Sequence, residues 1–338
     1  MDKLSELYQK GVSRRNFLVG AGALGAASVV TGCSNSGSYA APTTPPITQF
    51  TDVDYLNFAL NLEYLEAEFY LRAATGSGLS AADTGGTGTV TGGTKVPNLT
   101  AGQQAILNEI AYDEQQHVRF LRAALGTAAV TRPNIDLTNS FAGAAAAANA
   151  MSIATPGSPL IPSTFSPFSD FNAFLVGSFV FEDVGVTAYG GAAPLISSGG
   201  IAAGLLAAAA GILAVEAYHA AYVRTALTGI AIASGATPTN AAPYPYVAFA
   251  NRISALRGAL GGGNETPLAI PTTTSTPSSI VAADTTNAIA FHRNTDQVLH
   301  IVYGTYSNNT SSMTPAAGVA QGGFFPNGMN GNIKVTLS

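Results

Sequence analysis

Charge is scarce in this chain. Only 10% of its 338 residues are Asp, Glu, Lys or Arg, against about a quarter in an ordinary globular domain. A net charge of −5 offers no basic surface for nucleic acid, so we exclude nucleic-acid partners. Cysteine is almost absent: with Cys33 alone, no disulfide can form within the chain. Long hydrophobic runs are missing too. Apolar residues reach 47%, but Ala and Gly inflate that figure. Beyond the N-terminus no continuous run approaches the roughly 20 residues of a spanning helix.

The first 40 residues read as a processing signal. Ser13-Arg14-Arg15-Asn16-Phe17-Leu18 resembles the twin-arginine export motif, and a Gly/Ala-rich apolar segment follows to Gly32. Val30-Thr31-Gly32-Cys33 is similar to a bacterial lipobox, and a cut after Ala40 fits as well. This predicts export to the periplasm or cell surface, with membrane attachment only through the signal peptide or a lipid on Cys33. Twin-arginine substrates cross the membrane folded, so a metal could be installed before export and selected by availability instead of raw affinity.

After a Ser/Pro/Thr tether, the 3.6-residue periodicity starts at Asp52 and predicts a helix stopped by Gly76. Residues 76–100 are Gly/Thr-rich and read as a loop or a short hairpin. Thr100 caps a second helix ending before Gly126. An Ala-rich piece at 141–151 suits a short helix. A third long helix begins near Asp170, and Ser198-Gly199-Gly200 separates it from a fourth running to Leu227. Beyond Gly229 come Pro-rich segments, a fifth helix at 247–260, a short one at 295–303, and a turn-rich end that suits a small strand.

In the fourth helix Glu216 and His219 lie on one face with Ile212, Ala220, Val223 and Leu227, so both point toward the core. Burying that pair without a partner is costly, and a metal ion is the usual partner. The second helix repeats the pattern: Glu114, His117, Arg122 and Leu125 have the spacing of Glu216, His219, Arg224 and Leu227. Each preceding helix carries a glutamate followed seven residues later by a tyrosine, Glu63 with Tyr70 and Glu182 with Tyr189. The chain therefore contains a repeated helix pair. Nine Glu and four His in this length give about 0.1 Glu-x-x-His pairs by chance, so two such pairs point to design. Two carboxylates and two Glu-x-x-His pairs projecting into a bundle are the donor set of a carboxylate-bridged pair of divalent ions. Bridging carboxylates offset the repulsion between the ions.

LNFALNLEYLEAEFY and the ending GGFFPNGMNG make the chain similar to the ferritin-like superfamily, and within it to the desiccation-related proteins. That resemblance implies an all-α fold: a ferritin-like four-helix bundle over 51–230 with a long loop insertion, and a C-terminal extension over 231–338 containing a fifth helix and packed on the bundle. It implies metal ligands at Glu63, Glu114, His117, Glu182, Glu216 and His219, with Glu114 and Glu182 among the candidate bridges, and two iron or manganese ions as cofactor. Glu66 competes with Glu63. Asp183 reads as a polar neighbour, and Tyr70 and Tyr189 as packing residues that hydrogen-bond to ligand carboxylates. Arg122 and Arg224 either pair with acids or lie at the surface, and His292 and His300 fall outside the repeat.

The expected function is redox chemistry on O2 or peroxide, in oxidative or desiccation stress. The alternative is a non-catalytic exported stress or interaction protein that uses the bundle as a scaffold. A storage cage fits poorly with the insertion and the extension. A homodimer remains compatible with the sequence.

Overall fold

The structure is a computed structural model. It describes residues 50–151, 159–270, 280–284, 286–304 and 321–335, so the export motif and Cys33 lie outside the described residues.

Helix α1 (Asp52–Thr75) starts at a capping box: the Thr51 side chain accepts from the Asp54 amide while the Asp54 carboxylate accepts from the Thr51 amide. It ends at Gly76, whose φ of 88° is the left-handed conformation that glycine adopts freely. A four-residue helix α2 (Ala81–Thr84) and strand β1 (Val90–Thr91) fill the following loop. Thr100 and Gln103 form the capping box of α3 (Ala101–Leu125). Then come β2 (Ile135–Asp136) and α4 (Asn139–Ala150). Asp170 caps α5 (Phe171–Ala192) by accepting from the amides of Asn172 and Ala173. Next are α6 (Ser198–Ala202), α7 (Leu205–Ala233), α8 (Tyr246–Leu260) and α9 (Thr295–Tyr303).

The bundle consists of α1, α3, α5 and α7, with α1 packed along α3 and α5 along α7. Where the halves meet, aromatic residues interlock: Phe69 stacks on Phe174 at 5.6 Å and meets Phe181 edge-on at 5.3 Å. The all-α ferritin-like architecture expected from the sequence is present. Helix α8 packs on α4 and α5, and α9 on α5 and α8. The GGFFPNGMNG segment is tied to α1, because Asn61 donates to the Asn330 carbonyl and accepts from the Asn330 amide. Phe324 packs on Phe181 at 4.9 Å.

Three local expectations need correction. The 76–100 segment is no hairpin: β1 pairs in parallel with β2, from beyond α3, and α3 supplies the long crossover that a parallel pair needs. Ser198-Gly199-Gly200 does not break the chain but forms α6, because Ser197 caps it and is held by Asp52. The break falls at Gly204, where φ is 88°. At the C-terminus, residues 331–335 form no strand; Gly322 and Phe325 make an isolated bridge instead. Averaged hydropathy also finds what a search for continuous runs does not: Phe171–Leu195 and Leu205–Ala233 are long and apolar enough to cross a membrane by length and composition. Each is interrupted by buried acids, Glu182 and Asp183 in the first and Glu216 in the second.

Candidate metal centre

Helical periodicity turns the expected ligand side chains toward the bundle interior. Glu63 on α1, Glu114 and His117 on α3, Glu182 on α5, and Glu216 and His219 on α7 are all buried. They form two overlapping groups. Glu63, Glu114, His117 and Glu216 offer ligand atoms that all lie within 4.8 Å of one another, and so do Glu114, Glu182 and His219. Glu114 belongs to both. Its Oε2 is 3.3 Å from His117 Nδ1 and its Oε1 is 3.0 Å from His219 Nδ1. Glu63 Oε2 is 3.1 Å and Glu216 Oε1 3.6 Å from His117 Nδ1, and Glu182 Oε2 is 3.6 Å from His219 Nδ1.

The sequence paired Glu216 with His219, whereas in space Glu216 groups with His117. The tyrosines cross over as well. Tyr70, seven residues after Glu63, donates to Glu182, and Tyr189, seven after Glu182, donates to Glu63. The repeat thus interlocks the halves, each tyrosine orienting the opposite carboxylate. The arginines follow the same symmetry one step further out. Arg122 donates to the Tyr64 hydroxyl, next to Glu63, and Arg224 donates to Asp183, next to Glu182. Arg224 is therefore buried and paired with an acid, while Arg122 meets a phenol.

Two further acids lie near the centre: Asp113, given no role from the sequence, and Glu66, the competitor of Glu63. Asp113 Oδ2 lies 3.2 Å from His219 Nε2, the outward nitrogen, and a carboxylate there fixes the ring and raises its basicity. The signal was its place beside Glu114, which resembles an exposed polar residue. Glu66 is buried but belongs to neither ligand group. His292 and His300 lie far along the chain on the C-terminal extension, and the ligand groups contain neither.

The electrostatics show what this arrangement lacks. Burial pushes Glu63 up against the opposing pull of His117, and lifts Glu182 to about 8 against that of His219. Burial and then neighbouring carboxylates push Glu66 and Glu216 well above the carboxylate range. For Glu114 burial acts upward, but the His117 hydrogen bond and the close approach of both histidines outweigh it and bring it to about 2. Burial would lower the histidines, yet the carboxylates win: Glu63 chiefly raises His117 to about 11, and Glu182 chiefly raises His219 to about 10.

Five buried atoms still have no hydrogen-bond partner: Glu114 Oε1, Glu182 Oε2, both Glu216 oxygens and His219 Nδ1. His219 Nδ1 and Glu114 Oε1 are close yet off the hydrogen-bond direction. Buried polar atoms left without a partner are costly. They converge between the helices, and their chemistry of carboxylate oxygen with imidazole nitrogen fits iron or manganese.

These shifts predict a pH dependence. A carboxylate whose folded pKa is raised contributes stability below its unfolded value near 4.5, and loses it as pH rises through the folded value. The raised histidines also lose their contribution on the alkaline side, above about 6.5. Chelated protein is therefore expected to melt at progressively lower temperature from pH 5 to pH 8. Metal binding instead strengthens as its ligands deprotonate. The melting gap between loaded and chelated protein should widen over that range, as scanning calorimetry would show; parallel curves would contradict the assignment.

Comparison with known proteins agrees with this geometry. Residues 51–229 match the ferritin-like domain family. The chain belongs to that family. The ferritin-like match covers all four bundle helices except the last turn of α7. A protein described as a ferritin-like catalase, from Nesocodon mauritianus, is 30% identical over 296 residues, 83% of this chain and 84% of its own. A desiccation-related protein from Craterostigma plantagineum is 33% identical over 218 residues, 62% of this chain and 63% of its own. No solved structure matches the chain significantly.

Proposed function

We propose that this chain is an exported ferritin-like protein that binds two iron or manganese ions through Glu63, Glu114, His117, Glu182, Glu216 and His219, and acts on peroxide or O2. The observation that carries the reading is Glu114, a buried carboxylate shared by two ligand groups in which one oxygen of Glu182, both of Glu216 and His219 Nδ1 have no hydrogen-bond partner. When bound, a pair of such ions supplies two-electron exchange with a small oxidant.

The protein's own residues do the rest. Tyr70 and Tyr189 hold Glu182 and Glu63. Asp113 orients His219. The six side chains are buried in the bundle, which keeps bulk water from them. The likeness to a ferritin-like catalase favours peroxide, in the balanced reaction of two H2O2 giving two H2O and O2. The twin-arginine resemblance at Arg14-Arg15 supports export with the metal already in place.

The test is oxygen evolution from peroxide by purified protein, beside a Glu216→Ala/His219→Ala double variant. Turnover lost in the variant while its helical content is retained supports this reading. Likeness to a desiccation-related protein favours a second reading, a non-catalytic stress scaffold. Stress tolerance that the double variant restores as fully as the wild type does would decide for it.

A further inference from the structure

The repeat that builds the centre is broken at one position close to it. Glu66 stands three residues after Glu63, and the equivalent position three after Glu182 is Gly185. The substitution of glycine has a steric cause. A Cβ at Gly185 would lie 2.3 Å from Glu216 Oε2 and 3.4 Å from Glu66 Oε1. Two carboxylates from different helices thus converge over one bare stretch of backbone.

Glu66 is only 5% exposed, yet it makes no hydrogen bond or ion pair with any described residue. The orphaned acids at the centre are accounted for by metal; Glu66 lies outside both ligand groups and needs another partner. It lines a cavity of about 20 Å³, between α1 and α5 and beneath the C-terminal extension. The other walls include Phe181, Val184, Gly185, Val302 and Phe324, so Glu66 carries the one ionisable side chain among the described lining residues. Where about 10–15 Å³ admits one water, this space takes a molecule of one or two heavy atoms.

We propose that this cavity is a docking site for hydrogen peroxide, or for a water in its place, with the Glu66 carboxyl oxygen accepting a hydrogen bond from the bound molecule beside Glu216. It rests on the function proposed above and assigns a binding residue to it. An apolar gas would leave Glu66 without a partner, whereas peroxide supplies an O–H donor and fits the volume. The floor at Gly185 holds the molecule on the Glu216 side, and Val302 and Phe324 close the other.

The test uses the metal-bearing full chain with Glu66→Leu and Glu66→Gln. Leucine removes the acceptor, and glutamine keeps an amide oxygen in its place. For Glu66→Leu the expected result is unchanged metal content, a KM for peroxide raised about tenfold, as loss of one buried hydrogen bond implies, and little change in kcat. Glu66→Gln should recover most of the KM. A high-resolution crystal structure should show density at hydrogen-bond distance from the Glu66 carboxyl in the wild type, and none at that position in the leucine variant.

Loss of metal from Glu66→Leu would overturn the proposal, since Glu66 would then be a ligand. An unchanged KM, or an empty cavity in the wild type, would overturn it too. Wild-type protein without turnover would sink the proposed function instead, and the density would still decide the docking site.

Discussion

Replacing Glu114 with alanine is expected to empty the whole centre, while replacing any other ligand empties it only in part. Glu63, His117 and Glu216 serve one group and Glu182 and His219 the other, but Glu114 serves both. It also lies within reach of both histidines. Without it, each group would lose a donor, and a pair of ions held there would lose the shared carboxylate whose charge offsets their repulsion. Metal content should fall from about two ions per chain to below about 0.2. Glu63→Ala should leave the Glu182–His219 side occupied, at about one ion per chain. Elemental analysis after desalting reads both variants, and equal retention of metal by the two would show that Glu114 is not shared.

Arg257→Ala is expected to cost about 3–5 kcal/mol, the scale for breaking one side of a buried ion pair. Arg257 is almost fully buried and joins α8 to the bundle. It donates to Asp183 on α5 at 2.9 Å and to Glu265 at 2.8 Å, and lies 4.4 Å over the Phe179 ring. Arg224 from α7 shares Asp183, and Arg293 shares Glu265. Truncating Arg257 therefore leaves the buried Asp183 and the half-buried Glu265 each short of a cation, beside the proposed ligand Glu182. Lysine offers one charged point where the guanidinium meets two acids and a ring, so Arg257→Lys should recover little. Urea denaturation of metal-bearing protein checks both; a loss below about 1 kcal/mol would place the network among weak surface pairs.

How much of this was legible beforehand depends on sequence separation. Helix ends at Thr51, Gly76, Thr100 and Asp170 were readable because a cap and the groups it binds lie within three or four residues. The two Glu-x-x-His pairs were readable for the same reason, and their repetition marked six ligand candidates that the fold brings together. What sequence spacing does not encode is which partner each side chain meets across the bundle. Tyr70 and Tyr189 hydrogen-bond to ligand-position carboxylates as expected, but that each one meets the carboxylate of the opposite half is visible only in the fold. Asp183 and Arg257 lie 74 residues apart, with no periodicity to link them. Glu66 and Glu63 occupy neighbouring turns, and the fold tells them apart by bringing Glu63, and not Glu66, among the other donor atoms.

The central claim is that the buried carboxylates and imidazoles form a two-metal centre. Its most direct test is elemental analysis of the purified full chain, expressed without chelator. The account predicts about two equivalents of iron or manganese per chain. Folded protein with fewer than about 0.2 equivalents would contradict it, because five orphaned buried donor atoms should not remain without an ion when one is available.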